Sequence, residues 1–331
     1  MTQNSRLGYI DFLKCISLMG IVLAHVDPPG IVKMLRTFDV PCMILLSAIL
    51  SEISFRNKHS LSVKEYLFSR FRRLVYPTWI FMTLYFLLYL ILSGHPFELR
   101  YYIDSYALTR YGIGYVWIIL IYLYCSFMVP LFHRVGFGRN SLIVIALIYV
   151  LYEIMYYYRI GTDNKVIMTT LYYIVPYCSL AFLGYHYGKM SRKTKYAILC
   201  ISCIIFVSLL CYYRIASGSF QTVQIAKYPP RLYYLSYGCM CSFALLLLCE
   251  NRQCRLFENP VVRFIASHSM WIYLWHILWL LAYDILHLPS VWYIRFFAVF
   301  ISSSLTVIIV NKLLDALEKK AKYAFFRYLR G

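Results

Sequence analysis

Three residues in the first apolar run have the chemistry of a catalytic site: Asp11, Lys14 and His25. They lie within residues 9–26, a stretch otherwise dominated by Ile, Leu, Val, Met and small residues. A helix turns about 100° per residue, so Asp11 and Lys14, three positions apart, are neighbours on one face. Lys14 and His25 are eleven positions apart. They return to within about 20° of one face, roughly 16 Å apart along the axis. One stripe therefore carries an acid and an amine at one end and an imidazole at the other. An ionisable group in a spanning helix costs at least ~2.5–3.5 kcal/mol and normally faces a bundle interior or a wet cavity. An imidazole titrates near neutral pH, which suits His25 to accepting and donating protons. A second reading stays open, in which Asp11 and Lys14 are an ion pair snorkelling to the membrane surface and His25 an interfacial residue.

The elements that must position this stripe follow from composition. Of 331 residues, 61% are hydrophobic and only 14% charged, with mean hydropathy +0.63. Soluble domains carry about 25% charged residues, so a soluble enzyme and a disordered chain are both excluded. A spanning helix needs about 20 mostly apolar residues. Ten candidates occur, near 9–26, 38–54, 74–93, 114–132, 141–158, 166–187, 195–213, 232–249, 264–286 and 291–314. The expected architecture is an all-α polytopic membrane bundle of about ten spans, a single domain over 1–331 with no room for a soluble one. No cleavable signal peptide is evident, because the first run contains Asp11 and Lys14 and lacks a small-residue cleavage site.

The formal charge is +19. Placing the N-terminus inside assigns 22 of the 33 Lys and Arg residues to inner loops and ends and 10 to outer ones, with Lys14 in the first span. Lys58, Lys322, Arg327 and Arg330 are among the inner set. That bias predicts both termini in the cytoplasm. It also removes nucleic acid as a partner, since the charge is divided among short loops. The 11 cysteines lie mostly inside apolar runs and behave as small hydrophobes; Cys200 and Cys203 form a CxxC without a second pair or nearby His, so no metal site is expected.

Several segments carry a resemblance in chain order. Arg6-Leu-Gly-Tyr-Ile-Asp-Phe-Leu-Lys14 with His25 resembles the opening of the integral-membrane acyltransferase-3 family, which has a basic residue, ten intervening residues and then His. Residues 38–47, FDVPCMILLS, resemble its second span, with Ala48 where Gly is common. Arg70-Phe-Arg-Arg73 resembles its RxxR element, and Gly112-Ile-Gly-Tyr-Val-Trp117 its glycine-to-tryptophan entry to a span. Residues 182–189 and Ser269-Met-Trp-Ile-Tyr-Leu-Trp-His276 resemble later landmarks.

The resemblance implies a membrane O-acyltransferase of a bacterial cytoplasmic (inner) membrane. It would move an acyl group, commonly acetyl, from cytoplasmic acyl-CoA to a hydroxyl of a surface polysaccharide or lipid-linked saccharide. Acyl-CoA is then a co-substrate, with no bound cofactor; membrane lipids are the remaining partner. Arg70, Arg73 and Arg72 are assigned to the CoA phosphates, which guanidinium forks match in bidentate fashion. Their other reading is a plain positive-inside cluster. His25 is assigned as general base or transient acyl carrier. Lys14, with Asp11 setting its charge and rotamer, is assigned to the donor channel. Trp117, Glu153, Tyr273 and His276 are further substrate-lining candidates, each with a packing alternative; His276 is weighed chiefly as a structural histidine. The competing class is a transporter or flippase for a lipid-linked or acylated glycan, which would use the same polar stripe.

Overall fold

The computed structural model describes residues 3–56, 62–288 and 291–321; Lys58, Lys322, Arg327 and Arg330 of the charge bias lie outside them. All regular structure in the described residues is helical. In chain order the α-helices are α1 (Gln3–Leu23), α2 (Gly30–Leu35), α3 (Asp39–Arg56), α4 (Val63–Ser93), α5 (Leu99–Tyr106), α6 (Trp117–Val135) and α7 (Arg139–Tyr157). They continue with α8 (Lys165–Thr169), α9 (Leu171–His186), α10 (Arg192–Ser217), α11 (Leu232–Cys249), α12 (Pro260–Ser267), α13 (Ser269–Ile285) and α14 (Trp292–Ala321).

Among the described residues, eight helical stretches are long and apolar enough to cross a membrane, nine if α12 and α13 form one bent span. The protein is therefore a membrane-spanning all-α bundle. α1 is not among those stretches, yet it packs at the centre against α3, α12 and α13. Its three charges, Arg6, Asp11 and Lys14, lower its hydropathy, while its neighbours bury its apolar residues. All ten expected segments are occupied by helix.

Two expected boundaries move. The segment expected as one span over 264–286 is broken at His268, where α12 and α13 meet at a 77° bend. The span expected to begin near 74 starts at Val63 instead, because Ser62 and Glu65 close a capping box: Glu65 N donates to Ser62 Oγ at 3.3 Å, and Ser62 N donates to Glu65 Oε2 at 2.8 Å. Arg70, Arg72 and Arg73 therefore ride on α4 itself, about two turns in, rather than in a loop before it.

α3 is the hub, touching α1, α6, α9 and α11. Of its spanning window 61% is buried, against 6% for α7 and for α10, which form the periphery. In lipid, helices associate by close packing rather than by exclusion of water, and small residues allow the closest approach. Gly184 of α9 lies so near α3 that an added Cβ would sit 2.6 Å from the Leu45 carbonyl, and one at Gly238 of α11 would sit 2.4 Å from Pro41. These contacts hold α3 against both neighbours. The connection between α1 and α3 gives one end of the bundle, where His25 sits. The link between α3 and α4 marks the opposite end, nearest Arg70.

Candidate active site

Regular helix in α1 stops at Leu23, and the chain tightens beyond it: Ala24 N donates to Gly20 O and Ile21 O, and His25 N to Val22 O at 3.0 Å. His25 thus sits on the closing turn and reaches sideways into α13. Its Nδ1 lies 3.1 Å from Nε2 of His276, which is fully buried. The edge of Tyr115 packs against the His25 ring at 4.7 Å. His276 Nδ1 in turn meets the backbone carbonyl of Tyr273, one turn earlier on α13.

These contacts determine which nitrogens carry hydrogen. A carbonyl only accepts, so Nδ1 of His276 is the N–H nitrogen. In the neutral ring Nε2 of His276 then offers a lone pair, and Nδ1–H of His25 donates to it. That leaves Nε2 of His25 with its lone pair free. The arrangement is an oriented base whose partner sets its tautomer, the geometry a proton acceptor requires. His276, weighed from sequence mainly as a structural residue, is the group that orients His25.

The opposite end holds a cavity of about 580 Å³ lined by residues of α1, α3, α4, α6, α12 and α13. Lys14, Leu18 and Ile21 give it one turn-by-turn face from α1, and Ser47, Ser51 and Ser54 another from α3. Arg70, Arg72 and Arg73 stand around it from α4, with Arg70 over the Tyr66 ring at 5.1 Å and Arg72 over Phe68 at 4.5 Å. Tyr273 also lines it. Its hydroxyl donates to the Tyr115 carbonyl, and its own carbonyl receives His276. Tyr273 therefore belongs to both the cavity and the histidine pair. His25 and His276 lie outside the cavity lining.

Lys14 donates to the carbonyl of Ala266 at 2.6 Å. Ala266 is in the last turn of α12, where carbonyls lose their helical partners. The ammonium satisfies one of them and ties α1 to the break. Asp11 and Lys14 do not close into an ion pair, which corrects the expectation that Asp11 fixes the lysine's rotamer; the Ala266 carbonyl does so. Glu153 is remote from the cavity. It binds Arg231 at 2.6 Å and accepts Leu232 N at 2.7 Å, which caps α11 and pins the peripheral α7. Trp117 is buried against Tyr173, Tyr177 and Tyr228, away from the cavity.

Sequence reasoning missed the α3 serines, Tyr115 and Tyr122, although serines at 47, 51 and 54 follow the i, i+4, i+7 rule for one helical face. It also missed a buried ion pair near His25. Arg36 pairs with Asp39 at the start of α3 and reaches the Gly20 carbonyl of α1 at 3.5 Å. Both partners are buried, and the pair locks the α1–α3 corner.

A bent helix tied by a lysine, a cationic cavity and an oriented histidine pair are thus brought together in an all-helical membrane bundle. The chain belongs to the acyltransferase-3 family: the model of that family's acyltransferase domain matches residues 7–311. The protein is an acyltransferase of the membrane. No curated protein and no solved structure gives a significant match to it.

Proposed function

We propose that the protein is an O-acyltransferase, with acetyl the favoured acyl group. It takes the acyl group from acyl-CoA on the cytoplasmic side and gives it to a hydroxyl of a saccharide, surface-exposed or lipid-linked, reached from the other side. The arginine end faces the cytoplasm, both termini lie there, and the membrane is the bacterial cytoplasmic membrane. The observation that supports this most is that Tyr273 both lines the cavity and, through its carbonyl, holds the histidine that orients His25. The cavity is edged by three arginines and Lys14, and His25 has a free Nε2 lone pair.

Arg70, Arg72 and Arg73 hold the CoA phosphates at the mouth, where charge-assisted contacts are strong. The serine-lined wall of α3 receives the amide-bearing pantetheine arm, and Lys14 lies beside it. His25 Nε2 takes the proton of the acceptor hydroxyl as its oxygen attacks the thioester carbon. The new C–O bond forms, the C–S bond breaks, and CoA leaves as a thiolate that collects a proton. A positioned base of this kind contributes about 10²–10⁴-fold. Purified protein given acetyl-CoA labelled in the acetyl group, with candidate glycans, should transfer label to the glycan. Movement of unmodified glycan across a vesicle membrane without label transfer would favour a transporter and reject this reading.

A further inference from the structure

At the histidine end, Lys227 is 5% exposed and makes no side-chain hydrogen bond or ion pair among the described residues. It lies in the link between α10 and α11, just after a short 3-10 turn that is anchored to the α1–α3 corner by Gln224 Nε2 donating to Thr37 Oγ1 at 2.8 Å. A buried ammonium without a partner is costly to keep, and in membrane proteins such groups mark ligand pathways.

A second cation shares its surroundings. The half-exposed Tyr228 ring has Lys227 Nζ at 5.4 Å from its centroid and the Arg110 guanidinium also at 5.4 Å. Among the described residues Arg110 has no carboxylate partner either; its side-chain hydrogen bond goes to Tyr173 OH at 3.5 Å. The carboxylate that most offsets Lys227 is Asp39, already taken by Arg36, while Arg36 and Lys33 add positive field. Burial, with Arg36 and Lys33, pushes Lys227 down to about 8, so it keeps its charge at neutral pH. Both cations therefore lie against one aromatic ring, and among the described residues neither forms an ion pair with a carboxylate.

This pair is coupled to the catalytic histidine by a short path. Trp117 contacts Tyr228 at 5.5 Å, and two residues earlier Tyr115 packs on His25 at 4.7 Å. The segment from Arg110 to Trp117 thus meets the Tyr228 ring at both ends and His25 through Tyr115. A ring flanked by cations is also a surface that a sugar ring can stack on while an oxyanion is held beside it.

We infer that Lys227 and Arg110 form an oxyanion site beside His25, and that the acceptor is a saccharide bearing a phosphate or carboxylate near the hydroxyl that is acylated. The ligand's identity as acceptor rests on the acyl-transfer reading; the site itself does not.

The test uses full-length protein in phosphatidylcholine nanodiscs, with glucose 1-phosphate and glucuronate as charged probes and methyl glucoside as the neutral one. At least one charged probe should bind ten-fold or more tighter than methyl glucoside. Lys227→Gln and Arg110→Gln should each cut that binding about ten-fold, and Lys227→Arg should restore most of it. Coenzyme A binding, at the far end, should be unchanged in all three and serves as the control for folding. Equal binding of charged and neutral probes, or charged-probe binding that survives both glutamine variants, overturns the proposal. A third arm adds phosphatidylglycerol to the nanodisc; loss of sugar-anion binding there identifies a lipid-headgroup site and also overturns it. Charged-probe binding that behaves as expected in a protein that transfers no acyl group leaves the oxyanion site standing and rejects the acyl-transfer reading instead.

Discussion

In the proposed reaction His25 is a base oriented by its hydrogen bond to His276, and the two residues should fail differently. His25→Ala removes the base itself, and transfer should be abolished. His276→Ala leaves the base but frees its tautomer and ring orientation; kcat should fall by roughly ten- to a hundred-fold, the order seen when a ligand's orienting partner is lost, with KM for acyl-CoA little changed. Steady-state kinetics separate the two. The pH dependence has a definite sign. The reactive form is the neutral imidazole, so the rate should fall on acidification as His25 takes up a proton, and hold steady on the alkaline side of that titration. In the proposed reaction the arginines belong to a different step, the binding of acyl-CoA. Arg70→Ala or Arg73→Ala should weaken acyl-CoA binding by about 1.5–3 kcal/mol, the worth of a hydrogen bond to a charged group. Arg→Lys should rescue only part, since an ammonium lacks the planar fork. Calorimetric titration with coenzyme A measures both. Unchanged affinity in both alanine variants would return these residues to holding lipid headgroups.

At the scale of elements, the helices that carry the site were legible because hydropathy marks spans directly, and so were the ionisable residues of α1. The tie between His25 and His276 was not, because 251 residues separate them and no local pattern reports which helices pack together. The break at His268 was hidden for a related reason: no proline or glycine marks it, and it is held by a remote donor, Lys14 on the Ala266 carbonyl. The partners of two acids were hidden in the same way: Asp11 has no close pairing with Lys14, and Glu153 meets Arg231 and the start of α11. Close packing of α9 on α3 makes a separate prediction. Gly184→Val would drive side-chain atoms into the Leu45 carbonyl and Ala48. It should destabilise the bundle by about 1–3 kcal/mol, the usual cost of overpacking. Thermal unfolding in detergent measures this, and a melting temperature equal to that of the parent would show that the contact is not tight in solution.

For the whole molecule, the charge bias and the two-ended site have to agree on orientation. Cys254 is exposed in the link between α11 and α12, on the side assigned to the cytoplasm; Asp27, exposed just beyond His25, is on the other. In intact cells an impermeant maleimide should label Asp27→Cys and spare Cys254, which should react only after permeabilisation. The reverse pattern would put the arginines outside and detach the cavity from cytoplasmic CoA. Given that orientation, the account makes one demand of the molecule as a unit: an acyl group enters at the arginine end and leaves on an acceptor activated at the histidine end. The most direct measurement reconstitutes the protein in sealed vesicles, supplies acetyl-labelled acetyl-CoA on the arginine side and a saccharide acceptor on the histidine side, and compares the parent with His25→Ala. The account predicts labelled acceptor with the parent and none with His25→Ala, although the variant inserts and binds coenzyme A as the parent does. Near-normal acylation by a well-folded His25→Ala protein would contradict it.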